Sequence, residues 1–320
     1  MFSFSEIHAR ENLFPFTLTR HTADLRIGMF TNRERWALAA TYFSSLDHLQ
    51  DIPANLIPGY AFFMHTAMHG LESALGDNTT YRTIQYPWDI TTHNAWAIEQ
   101  DYKLLVRDKE TSTLPEKVNI TGPSNQLFIE RGAIIGHCYI NTEQGPVYIG
   151  KQTEIMDGVM MRGPVSIGEG AVIKMGAAIY GGVSIGPFCT VGGELKNSIL
   201  LEYSNKAHHG YLGDAVVGAW CNLGAGTSCS NIRNTATPVK VWHMHSNAFL
   251  PAGLKCGLLM GDYSRCGINT SFNTGTVVGV SANIFQSGPL LPKYIPSFSW
   301  GTDNGIRYDF EKAIADINNW

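Results

Sequence analysis

The sequence is poor in charge. Charged residues make up 16% of the 320, the net charge is -4, and the isoelectric point is about 6.2. No Lys/Arg run occurs, which removes the electrostatic footprint of a nucleic-acid or anionic-membrane binder. No stretch of about 18 apolar residues exists to span a bilayer. The opening MFSFSEIHARENLF carries Glu6 and lacks the basic and apolar regions of a secretion signal, so cytoplasmic residence is the expectation. Six cysteines, Cys138, Cys189, Cys221, Cys229, Cys256 and Cys266, form no CxxC pair and no regular framework. A chain this long does not require disulfide staples, and they are read as reduced.

What is present is a core and an unusual amount of glycine. Hydrophobic residues at 44% and aromatics at 11% suffice for two domains, and 33 glycines against 14 prolines suggest a turn-rich repeat. The repeat is six residues long. Ile149, Ile155, Met161, Ile167, Ile173, Ile179, Ile185 and Val191 stand six apart without a break, and Gly150, Gly168, Gly186 and Gly192 each follow a member. Two positions before the members lie Val147, Thr153, Val159, Val165, Ala171, Ala177, Val183 and Cys189, all small or β-branched. Each hexad therefore holds a short strand sending two side chains to one face, after which glycine supplies the turn. An aliphatic seat, a small seat and a turn at period six are the signature of a parallel β-helix, three hexads to one triangular coil.

The frame slips by two residues and resumes at Ile199, Asn205, Tyr211, Val217, Leu223 and Cys229, so that NKAHHGY (205–211) is expected to interrupt the wall. It resumes again at Met260, Cys266, Phe272, Val278 and Ile284, which requires residues 231–257 to loop out. Upstream, Ile129 and Ile135 begin it, with a slip at NTEQGP (141–146). Several cysteines fall on interior seats and are read as small core residues. Residues 1–107 differ: helical runs at 31–43, 61–75 and 88–105 suggest a small α/β domain. A polar linker is expected at 108–124, the coil at 125–290, and an extension at 291–320. Phe310, Ile314 and Ile317 in the extension have the spacing of a helix that caps the last coil.

From Val147 to about Ile232, especially in KNSI, NKAHHGYLGD and CNLGAGTSCSN, the chain resembles the acetyltransferase half of the bifunctional N-acetylglucosamine-1-phosphate uridylyltransferase/glucosamine-1-phosphate acetyltransferases. Over nearly its whole length, through RENLFPFTLTR, PSFSWG and MGDYSRCGINTSFNTGTVVGVSANIF, it resembles a related group described as sugar nucleotidyltransferases. The resemblance implies a left-handed parallel β-helix, a homotrimer, and an acyl-CoA such as acetyl-CoA as cofactor. The other substrate it implies is an amino-sugar phosphate or nucleotide-sugar.

Motif by motif, the resemblance makes His208 the general base, leaves His209 without a counterpart, and places Glu194, Lys196, Tyr211, Asn222 and Asn231 at the substrate. Arg162 matches a phosphate-binding Arg more loosely, and Ala225 lines the acyl-CoA channel. The chain departs in lacking one residue between Lys206 and His208, in having Ile232 for a Tyr, and in having no aligned loop lysine, for which Arg233 or Lys240 substitutes. Physical chemistry supports the assignment independently. A thioester acyl transfer needs a base for the nucleophile's proton, which imidazole supplies near neutral pH. Backbone N–H groups at Gly224, Ala225 and Gly226 allow close approach to a developing oxyanion. Lys196, Lys206 and Arg162 would neutralise a sugar phosphate.

Two alternatives stay open. Residues 1–107 are read as a degenerate nucleotidyltransferase-like domain, with Thr19, Arg20, Asp24 and Arg26 as remnants and His21 where the related proteins have proline. Sugar-1-phosphate nucleotidyl transfer with Mg²⁺ and a nucleoside triphosphate would then be the activity, and the coil an oligomerisation module. Against it, the first 27 residues contain no glycine, hence no glycine-rich phosphate cradle. A zinc hydratase of the β-helix carbonic anhydrase type would use His208, His209, His243 and His245. The leading expectation is acyl transfer without a metal.

Overall fold

Hydrogen bonding turns the period of six into three parallel walls. The computed structural model describes residues 2–6, 9–285, 291–302 and 306–319, and the chain winds as a left-handed parallel β-helix of about 10 turns. A wall of nine strands runs from Leu127–Ile129 to Tyr294–Ile295, one of eight from Ile134–Ile135 to Asn283–Ile284, and one of six from Val118–Thr121 to Tyr211–Gly213. We call these the second, third and first walls. The first is continued by the pair Ser228–Cys229 and Ser271–Phe272. Valine lies over valine and isoleucine over isoleucine in register, as in Val147, Val165, Val183 and Ile149, Ile167, Ile185. Each such fully buried side chain contributes about 1.5–3 kcal/mol.

The coil starts before the expected boundary. Val118–Thr121 pairs with Cys138–Asn141, so the supposed linker already contributes the first strand. The boundary expected at residue 290 lies outside the described residues. The insert at 231–257 leaves the coil as foreseen, and its core is an antiparallel hairpin of Lys240–His243 with Ala248–Pro251. All six cysteines are free and buried. At the far end the helix Phe310–Asn318, capped by Asp309, lies against the last coils, where Arg265 donates to the Asp316 carbonyl.

Residues 2–106 form helices Asn32–Tyr42, Tyr60–His69, Leu71–Leu75 and Asp89–Leu105 with two-stranded ribbons between them. The capping box of Thr31 with Glu34 starts the first helix where TNRERW predicts it. These elements are a cover for the coil. Leu13, Phe14, Phe16, Leu25 and Ile27 pack in one cluster with Ile199, Leu201, Val216, Leu259 and Val277 on the outer face of the second wall. Asn94 donates to the Gly182 carbonyl and accepts from Ser184.

That cover explains an error of register. Ile185 pairs with Leu200, and Ile199 lies opposite Ser184, which faces outward. Beyond Val191 the interior column therefore reads Leu195, Leu200, Lys206, Leu212, Val217, Leu223 and Cys229. Ile199, Asn205 and Tyr211, the expected seats, each lie one place off and face outward. Ile199 is apolar because the N-terminal cover buries it from outside.

Candidate active site

NKAHHGYLGD is a coil corner rather than a break. Asn205–Lys206 continues the third wall, Tyr211–Gly213 continues the first, and residues 207–210 turn between them. Six residues separate the interior side chains Lys206 and Leu212, as in any undisturbed hexad. His208 and His209 stand exposed at this corner, and neither ring hydrogen-bonds to another described residue. The next corner above is Gly224–Ala225–Gly226, and the Gly226 amide donates to the His209 carbonyl at 3.2 Å. The Gly224 amide is also engaged, with the Cys266 carbonyl at 3.1 Å. The Ala225 amide donates to no described residue, so of the three it alone remains available to a ligand oxygen.

Lys206 is not at a surface. Its side chain occupies an interior seat between Val191 and Leu223 and is 1% exposed. Its ammonium donates to the carbonyls of His208 at 2.8 Å and Gly192 at 3.2 Å. Burial lowers its pKa from 10.5 to about 8. A phosphate has no path to this ammonium, so the expected role in neutralising one gives way to a structural one. The lysine ties the backbone of the histidine corner to the corner below.

The first wall gathers most of the other expected residues. Glu194 and Tyr211 are register partners, and Lys196 lies opposite Gly213. The Lys196 ammonium stands 5.9 Å from the centre of the Tyr180 ring. Arg162, exposed, shares a groove of about 350 Å³ with Tyr139, Asn141 and Tyr180. The Asn231 amide donates to the Tyr211 hydroxyl at 3.1 Å and to Asp214 at 2.5 Å, and Asn197 donates to the other Asp214 oxygen at 2.7 Å. Burial, with the Asp214 charge added, pushes the Tyr211 hydroxyl up to about 12, so it stays protonated and able to donate at neutral pH.

Two residues fall elsewhere. Asn222 is on the third wall, between Asn205 and Arg265 in register, and does not join the Tyr211 group. Arg233 lies in the insert, beside Lys240 and Lys293. Asp214 and Asn197 went unassigned in the sequence, although Asp214 closes the NKAHHGYLGD motif. Both hold positive φ, 47° and 46°, and short polar residues at such corners were the available signal.

The N-terminal residues read as remnants of a nucleotidyltransferase are engaged within the protein. Thr19 and Arg20 bind Asp262 of the coil at 2.5 and 2.6 Å, and Arg20 also reaches Glu202 at 3.2 Å. Asp24 pairs with Arg33 at 2.7 Å and Arg26 with Glu34 at 3.2 Å. His21 accepts from the Ala23 amide and lies 3.5 Å from Glu6. Nor do the four histidines of the hydratase alternative come together as a set. His243 packs on Tyr86 and bonds Ser246 in the hairpin, while His245 lies 3.2 Å from Glu11. Among the described residues no group of three His, Cys, Asp or Glu side chains could hold a metal, and no helix is long and apolar enough to cross a membrane.

Comparison with known proteins finds relatives among nucleotidyltransferases and bifunctional nucleotidyltransferase/acetyltransferases. Residues 3–58 match the family described as sugar nucleotidyl transferase. The bifunctional protein GlmU of Methanocaldococcus jannaschii is 37% identical over 86 residues, 27% of this chain and 21% of that protein. That of Methanococcus maripaludis is 27% identical over 227 residues, 68% of this chain and 45% of its own length. The bifunctional sugar-1-phosphate nucleotidylyltransferase/acetyltransferase of Sulfurisphaera tokodaii is 34% identical over 92 residues, 29% of this chain and 23% of that one. The chain thus spans less than half the length of these relatives. The crystal structure of the polySia specific acetyltransferase NeuO aligns with 58% of this chain and 82% of that one at 15% identity, with a TM-score of 0.30. The resemblance read from the corner motifs is borne out: the chain is similar to bifunctional sugar-1-phosphate nucleotidylyltransferase/acetyltransferases, and its N-terminal segment to sugar nucleotidyl transferases.

Proposed function

We propose that the protein is an acyltransferase that moves an acetyl or other acyl group from an acyl-CoA to an amino-sugar phosphate or nucleotide-sugar. The observation that carries this reading is the stacking of the Gly224–Gly226 corner, with its free Ala225 amide, over the His208 corner at the edge of the wall bearing Arg162, Lys196 and Tyr211. His208 takes the proton from the attacking amine or hydroxyl. The Ala225 N–H stabilises the oxyanion, and the wall-one cations hold the acceptor's phosphate. An acyl-CoA, when bound, supplies the activated thioester. The exposure of His208 in a single chain fits a site completed by a second copy, and a homotrimer is part of the proposal. Exposed Met175 and Ile268, on turns of the same edge of the coil, offer apolar area for such contacts.

The test is thiol release from acetyl-CoA in the presence of amino-sugar phosphates. Wild-type turnover with a loss of about 100- to 10,000-fold in His208→Ala supports the reading. Undiminished turnover in the variant refutes the base assignment, and a monomer by light scattering refutes the shared site. The family match of residues 3–58 favours a second reading, sugar-1-phosphate nucleotidyl transfer using Mg²⁺ and a nucleoside triphosphate. Pyrophosphate release from UTP or dTTP with a sugar 1-phosphate would establish it. The internal pairing of Thr19, Arg20, Asp24 and Arg26 weighs against it.

A further inference from the structure

Where the insert leaves the coil there is a cleft of about 580 Å³, bordered by Arg233, Lys240, Lys293, Phe249, Asn234 and Asn273 among others. It shares no residue with the wall-one groove that holds Arg162. Its lining contains no carboxylate, and among the described residues none of its three cations forms an ion pair. Arg233 donates to the Pro238 carbonyl at 3.4 Å. The Lys240 ammonium has no described partner. Lys293 is held in place by the Lys240 carbonyl at 3.2 Å and the Thr274 hydroxyl at 3.4 Å. Burial lowers the Lys293 pKa, and the Arg233 charge lowers it further. Three like charges around one cavity repel one another, and a bound anion removes that cost.

The lining also carries an apolar surface. Phe249 is 45% exposed, with its ring set edge-on to Trp242 at 5.2 Å between centroids. A cavity of this volume is large enough for a small organic ligand.

We propose that the cleft is a second anion site, taking the diphosphate of an organic ligand between Arg233, Lys240 and Lys293 while a flat ring of the ligand stacks on Phe249. Arg233 then belongs to this site and not to the wall-one group. The inference does not depend on acyl transfer at His208.

Isothermal titration with inorganic pyrophosphate and with UDP, at constant ionic strength, tests it on the wild-type chain, Arg233→Gln/Lys240→Gln, Lys117→Gln and Phe249→Ala. Lys117 is exposed and lies outside the cleft. Pyrophosphate should bind the wild type and lose at least about tenfold in affinity in the double variant, because two charge-assisted contacts go. Lys117→Gln should bind like the wild type. Phe249→Ala should weaken UDP and leave pyrophosphate unchanged. The site is overturned if the wild type gives no pyrophosphate binding at about 10 mM, a concentration that detects even very weak affinity. Equal binding by the double variant, or an equal loss in Lys117→Gln, also overturns it. UDP affinity unchanged in Phe249→Ala overturns the stacking contact.

Discussion

Replacing Lys206 by Met keeps the length of the side chain and removes a charge from the interior of the coil. In the folded protein the ammonium has a pKa of about 8 against 10.5 unperturbed. Between those values the unfolded chain holds a proton that the folded chain has released, so stability must rise with pH across this window. Below pH 8 the full cost of burying the charge, about 3 kcal/mol, weighs on the fold. The Met variant sheds that cost and also loses hydrogen bonds to the His208 and Gly192 carbonyls, each worth about 1.5–3 kcal/mol. These effects largely cancel at neutral pH, and absolute stability there decides nothing. The slope does. Urea denaturation from pH 7 to 10.5 should show the wild type gaining on the variant by up to about 1.4 kcal/mol per pH unit, and by about 3 kcal/mol in all. Titrations of the remaining groups are common to both proteins and cancel in the difference. A constant difference across the range would refute the placement of a charged Lys206 inside the coil.

Other perturbations test other parts of the molecule. Asp101→Asn breaks the buried pair with Arg35, whose two side chains are each 1% exposed, and should cost about 3–5 kcal/mol by denaturation at pH 7. A loss below about 1 kcal/mol would show the pair to be dispensable. Gly210→Ala puts a Cβ into the Thr227 carbonyl at a φ of 127°. It should destabilise by about 1–3 kcal/mol and lower the proposed acyl transfer by moving the His208 corner. Gly253→Ala, with positive φ but open space, should lose less stability and no activity, and equal losses would remove the steric argument. His208→Ala, at an exposed position, should leave stability within about 0.5 kcal/mol of the wild type while lowering the proposed acyl transfer about 100- to 10,000-fold. A large drop in its melting temperature would make the histidine a structural residue.

Much of the coil was legible because its signal repeats. A seat such as Ile167 has like neighbours six residues away on both sides, so one ambiguous position hardly matters. The outward face of the second wall was not legible. Ser184 and Ile199 are paired neighbours on that face, and what buries them is the N-terminal cover, whose Asn94, the partner of Ser184, is ninety residues away along the chain. An apolar residue at 199 looks the same in sequence whether a coil or a cover buries it. At the candidate site, the motif alone pointed to His208, Tyr211 and the glycine corner, and the fold stacks the glycine corner on the histidine corner. Lys206 carried the right chemistry on the wrong side of a strand, since one residue of register exchanges inside for outside, whereas Asn222 lies on a different wall from Tyr211.

The sequence alone determined the kind of object this is: short β-branched strands and glycine corners at period six leave a triangular coil as the arrangement that buries every aliphatic seat. Only the tertiary structure decided which way Lys206 faces, which side chains share the wall with Tyr211, and that Thr19 and Arg20 bind the coil itself. Those outcomes depend on strand register and on contacts between segments far apart in the chain, and local side-chain pattern carries neither.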